Sequence, residues 1–369
     1  IEQLIMIRAK SLARFLSRTL IYLGIALFVA LAIIFLLALK PIPATIEPIK
    51  ANTETRYWNI QDSYRIAYRK VTSENANALP PVIFLHGGPG GYIHSEIIKT
   101  LAPIAADGRV LYFYDQSGTG LSDRREHPKD TTLSGHIDDL HEIVTKHLKA
   151  QKVVLIGHSY GAQIATGFAV KYPELMEQLV LSSPGDINPS VYDENGLPLN
   201  DSKYPVPANL KFRNIDPNNE ARAKQDIDAM PVRAIVSLAI ATLFNKKFAP
   251  DQEVDNTINT MASHFTRDMV CDPKNVKPEE GGGGMYTRVG SNFYEDSDNP
   301  RPLMPNMKSP VLVLQGSCDF IPYGDAYEYV DLFPNAHYQF IQDAGHILWW
   351  DKPDVYRNEI HKFISQAKK

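Results

Sequence analysis

Cysteine is nearly absent: two residues in a chain of 369, too few for a disulfide scaffold or a four-cysteine zinc site. Tryptophan is scarce as well, with Trp58, Trp349 and Trp350 the whole complement. There is no excess of positive charge. The 38 basic and 42 acidic side chains leave −4, which gives no general electrostatic case for nucleic acid as a partner. No self-similarity recurs at a solenoid period, so a repeat array is excluded. Apolar side chains, by contrast, make up 44% of the chain against 22% charged. That balance supports a sizeable core and excludes wholesale disorder. The length fits two or three domains, or one large α/β domain carrying an insertion.

Charge is unevenly distributed. Residues 1–50 carry a net +4 and the remainder −8. Within the basic end, Ile21–Leu39 contains no charged residue. Nineteen residues at a rise of about 1.5 Å make about 28 Å of helix, close to the hydrocarbon thickness of a bilayer. A secretory signal usually has a shorter apolar stretch and a small-residue cleavage site. Here the run is long and Lys40-Pro41-Ile42-Pro43 follows it, which favours a retained transmembrane helix, with a cleaved signal peptide as the alternative. Arg8, Lys10, Arg14 and Arg18 precede the span against Glu2 alone. The positive-inside rule then puts residues 1–20 in the cytoplasm and the rest on the extracytoplasmic side, periplasmic or extracellular.

After a proline-bearing linker over 40–54, short apolar runs alternate with helix-period segments. Tyr57–Ile60 and Tyr64–Tyr68 suggest an antiparallel pair. Pro81–Leu85, Val110–Tyr114, Val153–Ile156, Leu179–Leu181, Val311–Leu314 and Tyr338–Ile341 are nearly all apolar, as strands covered on both faces are. Thr131–Lys149, Ala162–Lys171, Asp325–Leu332 and Asp354–Ser365 predict helices. The expected architecture is an α/β fold with a mostly parallel sheet flanked by helices, made of residues 55–185 and 308–369. Residues 186–307 break the rhythm and predict a mainly helical cap, with Ala229–Phe244 its best helix. The run Gly281–Gly284 has no strand before it and no Lys-Ser/Thr after it, so it predicts a mobile loop rather than a phosphate cradle.

The chemistry begins at Gly157-His158-Ser159-Tyr160-Gly161, a G-x-S-x-G motif between a strand and a helix, the context that presents a serine at the end of a sheet. A serine hydroxyl needs a base to take its proton and an acid to orient the base. In this arrangement the acid and then the histidine follow the serine in the chain. Asp319 follows the fifth parallel strand and His346 the sixth, so Asp319 is read as the acid and His346 as the base. Asp186 and Asp343 are the rival acids, but only Asp319 lies in the expected turn. Donors for a developing oxyanion would be the N–H of Tyr160 and one from the loop His86-Gly87-Gly88-Pro89-Gly90, assigned to Gly88. His136, His141 and His147 are spaced by five and six residues, which fits no metal pair on one helix face and predicts solvated positions. His158 is read as a spacer within the motif, and His94 lines either the pocket or the surface. No metal site and no cofactor are expected.

HGGPG at 86–90, DQSGTGLS at 115–122, GHSYGA at 157–162, Asp319 and AGH at 344–346 together resemble the proline iminopeptidase branch of the α/β-hydrolases, from about residue 55 onward. The resemblance implies the triad Ser159, Asp319 and His346, an oxyanion hole from Gly88 and Tyr160, and removal of N-terminal residues from peptides through an acyl-enzyme. The sequence departs from the family at Ser117, where arginine is usual, and at Tyr160, where tryptophan is usual. It also lacks the tryptophan-rich cap segment whose glutamate grips the substrate's amine. Glu253, Glu279, Glu280 and Glu295 are the carboxylates left to meet that amine. The chain is therefore expected to be a membrane-anchored serine hydrolase acting on a peptide or small acyl substrate. An esterase or lipase-like activity is the alternative, and a non-catalytic binding protein with the same fold a more distant one.

Overall fold

The computed structural model describes residues 2–74, 76, 79–187, 203–213, 224–225, 229–294 and 297–366. Helix α1, Glu2–Ala38, contains the stretch Phe15–Ala38, long and apolar enough to cross a membrane. Its large apolar side chains are exposed along the whole stretch, and only its C-terminal end, at Ala38, meets the rest of the described residues, through Arg233. It starts ahead of the expected Ile21 because Phe15, Leu16 and Leu20 extend the greasy surface and tolerate Arg18 near one end. Such a segment suits a membrane span or a signal sequence alike.

The sheet has eight strands: β1 (Arg56–Ile60), β2 (Tyr64–Val71), β3 (Val82–Leu85), β4 (Leu111–Tyr114), β5 (Val153–His158), β6 (Met176–Ser182), β7 (Val311–Cys318) and β8 (Ala336–Gly345). Their spatial order is β1-β2-β4-β3-β5-β6-β7-β8. β1 and β2, and β2 and β4, pair antiparallel; every other pair is parallel. Side chains alternate between two apolar faces. Ile83, Leu85, Val153 and Leu155 point to one core, and Val82, Phe84, Val154 and Ile156 to the other. The first face is covered by α3 (Leu133–Glu142), α4 (Tyr160–Lys171) and α8 (Tyr323–Leu332). The second is covered by α2 (Ser95–Leu101), α9 (Leu348–Asp351) and α10 (Pro353–Ser365). Burial on both faces is why these strands carry no polar alternation. Each fully buried Val, Leu or Ile contributes about 1.5–3 kcal/mol.

α3 stops short of the predicted Lys149: after Glu142 the chain makes one π turn over Ile143–His147, closed by Leu148 N–H donating to Ile143 O at 2.8 Å. His136, expected on a solvated face, is instead buried.

Between β6 and β7 the described helices are α5 (Val232–Phe244), α6 (Asp251–Phe265) and α7 (Met285–Phe293). They share a small core of Ala241, Ala249, Val254, Met285, Tyr286 and Val289. Gly281–Gly284, predicted as a mobile loop, is buried instead. A side chain at Gly282 would overlap the Tyr92 ring, and one at Gly284 would stand 2.3 Å from Gly118 O. Glycine is used here because the backbone threads a packed seam. The segment after α1 is likewise fastened: the N–H groups of Ile42 and Thr45 donate to Glu253 and Asn256 of α6 at 3.1 and 2.9 Å, and Ile49 N–H donates to Gly281 O at 3.2 Å.

Candidate active site

Ser159 separates β5 from α4 with φ 53° and ψ −120°. That backbone is costly for a residue with a side chain. The neighbouring packing holds it: a Cβ on Gly161 would stand 2.2 Å from Leu85 O, so only glycine lets α4 start against β3. The Ser159 hydroxyl does not cap α4. It makes no side-chain hydrogen bond among the described residues and is half-buried.

His346 lies at the end of β8. Its Nδ1 is 2.8 Å from Asp319 Oδ1, and both side chains are almost wholly buried. The same carboxylate oxygen accepts from Ile321 N–H at 3.0 Å, so the acid is held from two sides. Asp343 is exposed, with its carboxylate accepting from Gln342 at 3.3 Å. The rings of Phe320 and His158 lie 4.4 and 4.8 Å from the His346 ring. His158, read from sequence as a spacer, donates from Nδ1 to Ser182 O at 3.1 Å. Burial, followed by the nearby His346, holds its pKa well below the ordinary value. It therefore packs as a neutral wall.

The loop after β3 is held by His86. Its Nε2 accepts from Gln116 N–H at 3.0 Å, leaving Nδ1 to donate to Gly87 O at 2.9 Å. Burial lowers its pKa to about 4, so it stays in this neutral tautomer. Asp115 fastens the same loop by accepting from Ile93 N–H at 2.8 Å and Leu121 N–H at 2.9 Å. A Cβ on Gly87 would come within 2.9 Å of Ser159 Cβ, so the glycine loop lies directly against the serine. Tyr160, the other expected donor, begins α4, and its hydroxyl donates to Ser291 of α7 at 3.1 Å.

Two further contacts support the histidine loop. Asp351 accepts from Gly345 N–H at 2.8 Å and from Cys271 N–H at 2.7 Å. Cys271 and Cys318 form a disulfide with Cα atoms 5.3 Å apart, which ties the insertion to the residue before Asp319. From sequence the two cysteines are a possible pair for an extracytoplasmic domain, left open because their separation is not legible there; the Asp351 brace has no sequence signal at all.

The carboxylates considered for an amine are mostly engaged elsewhere. Glu253 pairs with Arg233 at 2.6 Å. Glu279 accepts from Tyr92 OH at 2.6 Å. Glu280 accepts from Ser95 N–H at 3.0 Å and from the Ser95 hydroxyl. Glu295 lies outside the described residues. His94 caps α2 by accepting from Glu96 N–H at 3.2 Å. Among the described residues no group of three His, Cys, Asp or Glu is placed to hold a metal.

Residues 80–353 match the family described as alpha/beta hydrolase fold. A proline iminopeptidase from Saccharolobus solfataricus is 25% identical over 317 residues, spanning 84% of this chain and 94% of that protein. Among solved structures, an esterase from Exiguobacterium antarcticum superposes with a TM-score of 0.59 at 15% identity, covering 84% of this chain and 98% of its own. The proline iminopeptidase of Mycobacterium smegmatis superposes with a TM-score of 0.54 at 20% identity, covering 85% and 98%.

Proposed function

Taking as premise that the chain belongs to the alpha/beta hydrolase fold family, we propose that it is a membrane-anchored serine hydrolase, an aminopeptidase of the proline iminopeptidase type. The observation that carries the reading is the buried Asp319–His346 pair at 2.8 Å, at the sheet edge where Ser159 occupies a strained strand-to-helix turn. With Nδ1–H committed to Asp319, the outer nitrogen Nε2 of His346 is the base. It takes the proton of Ser159 as Oγ attacks the substrate carbonyl, then gives it to the departing amine. The N–H groups of Gly88 and Tyr160 receive the negative charge that develops on the carbonyl oxygen. Water then repeats the sequence on the acyl-enzyme and releases the N-terminal residue. The insertion over 186–307 acts as the cap that selects the substrate.

A second reading, an esterase on small acyl esters, is favoured by one observation: Glu253, Glu279 and Glu280 already have partners. One experiment separates the two. The purified full chain in detergent is offered prolyl 4-nitroanilide, its N-acetylated form and 4-nitrophenyl butyrate. The aminopeptidase reading expects acetylation to cost roughly 30-fold or more, the loss of a charged contact in a desolvated site. Equal rates on free and acetylated amines leave the esterase. A serine-reactive fluorophosphonate should label the wild type and not Ser159→Ala, whose turnover should fall by at least about 10³. A fully active Ser159→Ala chain would remove both readings.

Helix α1 is proposed as a retained anchor with its basic end in the cytoplasm. The Cys271–Cys318 disulfide supports an extracytoplasmic catalytic domain, since such bonds persist in oxidising compartments.

A further inference from the structure

Helix α7 forms a wall beside both expected oxyanion donors. At its start, Gly284 N–H donates to Gly90 O at 2.9 Å and Arg288 N–H donates to Gly284 O at 3.1 Å. One turn later, Ser291 receives the Tyr160 hydroxyl and donates to Thr131 O at 2.7 Å. Thr287, Gly290 and Ser291 are thereby consumed by packing on the body of the protein, and Tyr286 and Val289 by packing on α5 and α6. Arg288 and Asn292, four residues apart on one stripe, remain exposed.

Arg288 stands directly on the oxyanion loop. A Cβ placed on Gly90 would lie 3.2 Å from Arg288 Cβ and 3.4 Å from its N, and Gly90 is two residues beyond Gly88. Among the described residues its guanidinium has neither an ion pair nor a hydrogen-bond partner. The acids nearby are taken: Asp255 by Arg124 at 2.9 Å and by Met285 N–H at 2.8 Å, and Glu279 and Glu280 by the Tyr92–Ser95 segment. Neighbouring protein desolvates Arg288 enough to pull its pKa below the ordinary guanidinium value, and no carboxylate opposes the shift. Beside the oxyanion loop, open to solvent and without a partner among the described residues, this cation is free to take an anion from solution. Its planar fork suits one kind of partner, a carboxylate bound through two parallel hydrogen bonds.

We propose that Arg288 anchors a carboxylate of the substrate, so that the site takes short acidic molecules: peptides with a free C-terminus beside the scissile bond, or acyl groups ending in a carboxylate. This rests on the reading of Ser159 as nucleophile and adds the charge of what it attacks. It also gives a role to a cap that lacks the tryptophan-glutamate segment: an anion site in place of, or in addition to, an ammonium site.

Two probe pairs test it on the purified full chain. Mono-4-nitrophenyl glutarate against 4-nitrophenyl pentanoate places the carboxylate on the acyl side. Prolylglycine against prolylglycine amide places it on the leaving side. The wild type should favour the carboxylate member of one pair by roughly 30-fold or more in kcat/KM. Arg288→Gln should bring that ratio close to one, and Arg288→Lys should restore part of it. Thermal-shift titration with glutarate reads binding without chemistry: the midpoint should rise in the wild type and not in Arg288→Gln. Equal rates within both pairs together with a flat wild-type titration overturn the proposal, as does a preference that survives Arg288→Gln. A chain that turns over none of the probes but is stabilised by glutarate in an Arg288-dependent way retains the anion site and loses the hydrolase reading. Indifference to N-acetylation removes only the aminopeptidase reading and leaves these ratios to be measured.

Discussion

His86, His136 and His158 are buried and neutral, and their burial makes the fold sensitive to acid. His86 falls from its ordinary value to about 4 and His136 to about 3, both through desolvation, and His158 is lowered as well. In the unfolded chain each takes a proton near pH 6.5. The unfolded state therefore binds more protons between about pH 6.5 and 4, and stability falls as pH drops through that window. His86 alone accounts for about 3 kcal/mol. Asp139 and Asp255, raised by burial to about 6, act in the opposite sense. Their folded forms hold protons more tightly, which favours the fold as pH falls from about 6 towards 4. Asp115 is raised by burial as well, but the N–H groups of Ile93 and Leu121 work against that rise. The histidines prevail because the falls at His86 and His136 exceed the rises at Asp139 and Asp255. The urea midpoint should drop steadily from pH 6.5 to 4.5; a flat or rising midpoint would contradict this balance. Glycine makes a second prediction at this scale. Gly161→Ala drives a Cβ into Leu85 O of a central strand, where neither partner can yield. It should cost several kcal/mol or prevent folding. Gly185→Ala, whose nearest atom is 3.7 Å away, should shift the melting temperature by about a degree or less. Comparable losses at the two positions would mean that the Gly161 contact is not tight.

The segment after α1, expected to be a free linker, behaves as an element. Residues 42–49 contribute backbone hydrogen bonds to Glu253, Asn256 and Gly281, and a Cβ on Gly281 would stand 2.1 Å from Glu47 O. The segment therefore braces α6 and the glycine run, and through Gly284 it reaches the wall that carries Arg288. Two truncations should differ. A chain beginning at residue 41 keeps these bonds and should be folded and as active as the full chain. One beginning at residue 52 leaves Asn256 and Gly281 without their partners. At about 1 kcal/mol for each lost hydrogen bond, it should melt several degrees lower, with reduced kcat/KM. Identical melting curves for the two would show that the segment only decorates the surface.

For the whole molecule, an apolar helix at one end and a disulfide at the other edge of the sheet bear on the same question of compartment. If α1 spans a membrane with its basic end inside, protease added outside intact spheroplasts should cut the catalytic domain. The chain recovered from cells under non-reducing conditions should then contain a Cys271–Cys318 peptide pair by mass spectrometry. Full protection from protease together with free thiols would reverse the orientation. A digest that removes the domain and leaves a membrane-bound fragment ending near residue 40 would show that the anchor is retained.

The sequence by itself determines the strands, their burial on both faces and the turn at Ser159. Each rests on a pattern within a few neighbouring residues: unbroken apolar runs at β3 to β7, and glycines at 157 and 161 where chain must pass chain. The order of strand, turn and helix also makes Asp319 and His346 legible as candidates, since each follows a strand at one sheet edge. What lies outside local pattern was decided by tertiary structure. His136 has the spacing of a surface residue and is buried, because Ser117 and the Tyr160 ring pack against it. Four consecutive glycines have the composition of a loose loop and are buried, because Tyr92, Asn259 and Gly118 press against them. The disulfide joins residues 47 apart, and the Asp351 brace joins segments 80 apart; no periodicity encodes such meetings. Arg288 is the plainest case. As a letter in the sequence it is one of many basic residues. It becomes a candidate anion site only when folding sets it on Gly90 and assigns the neighbouring acids to other partners.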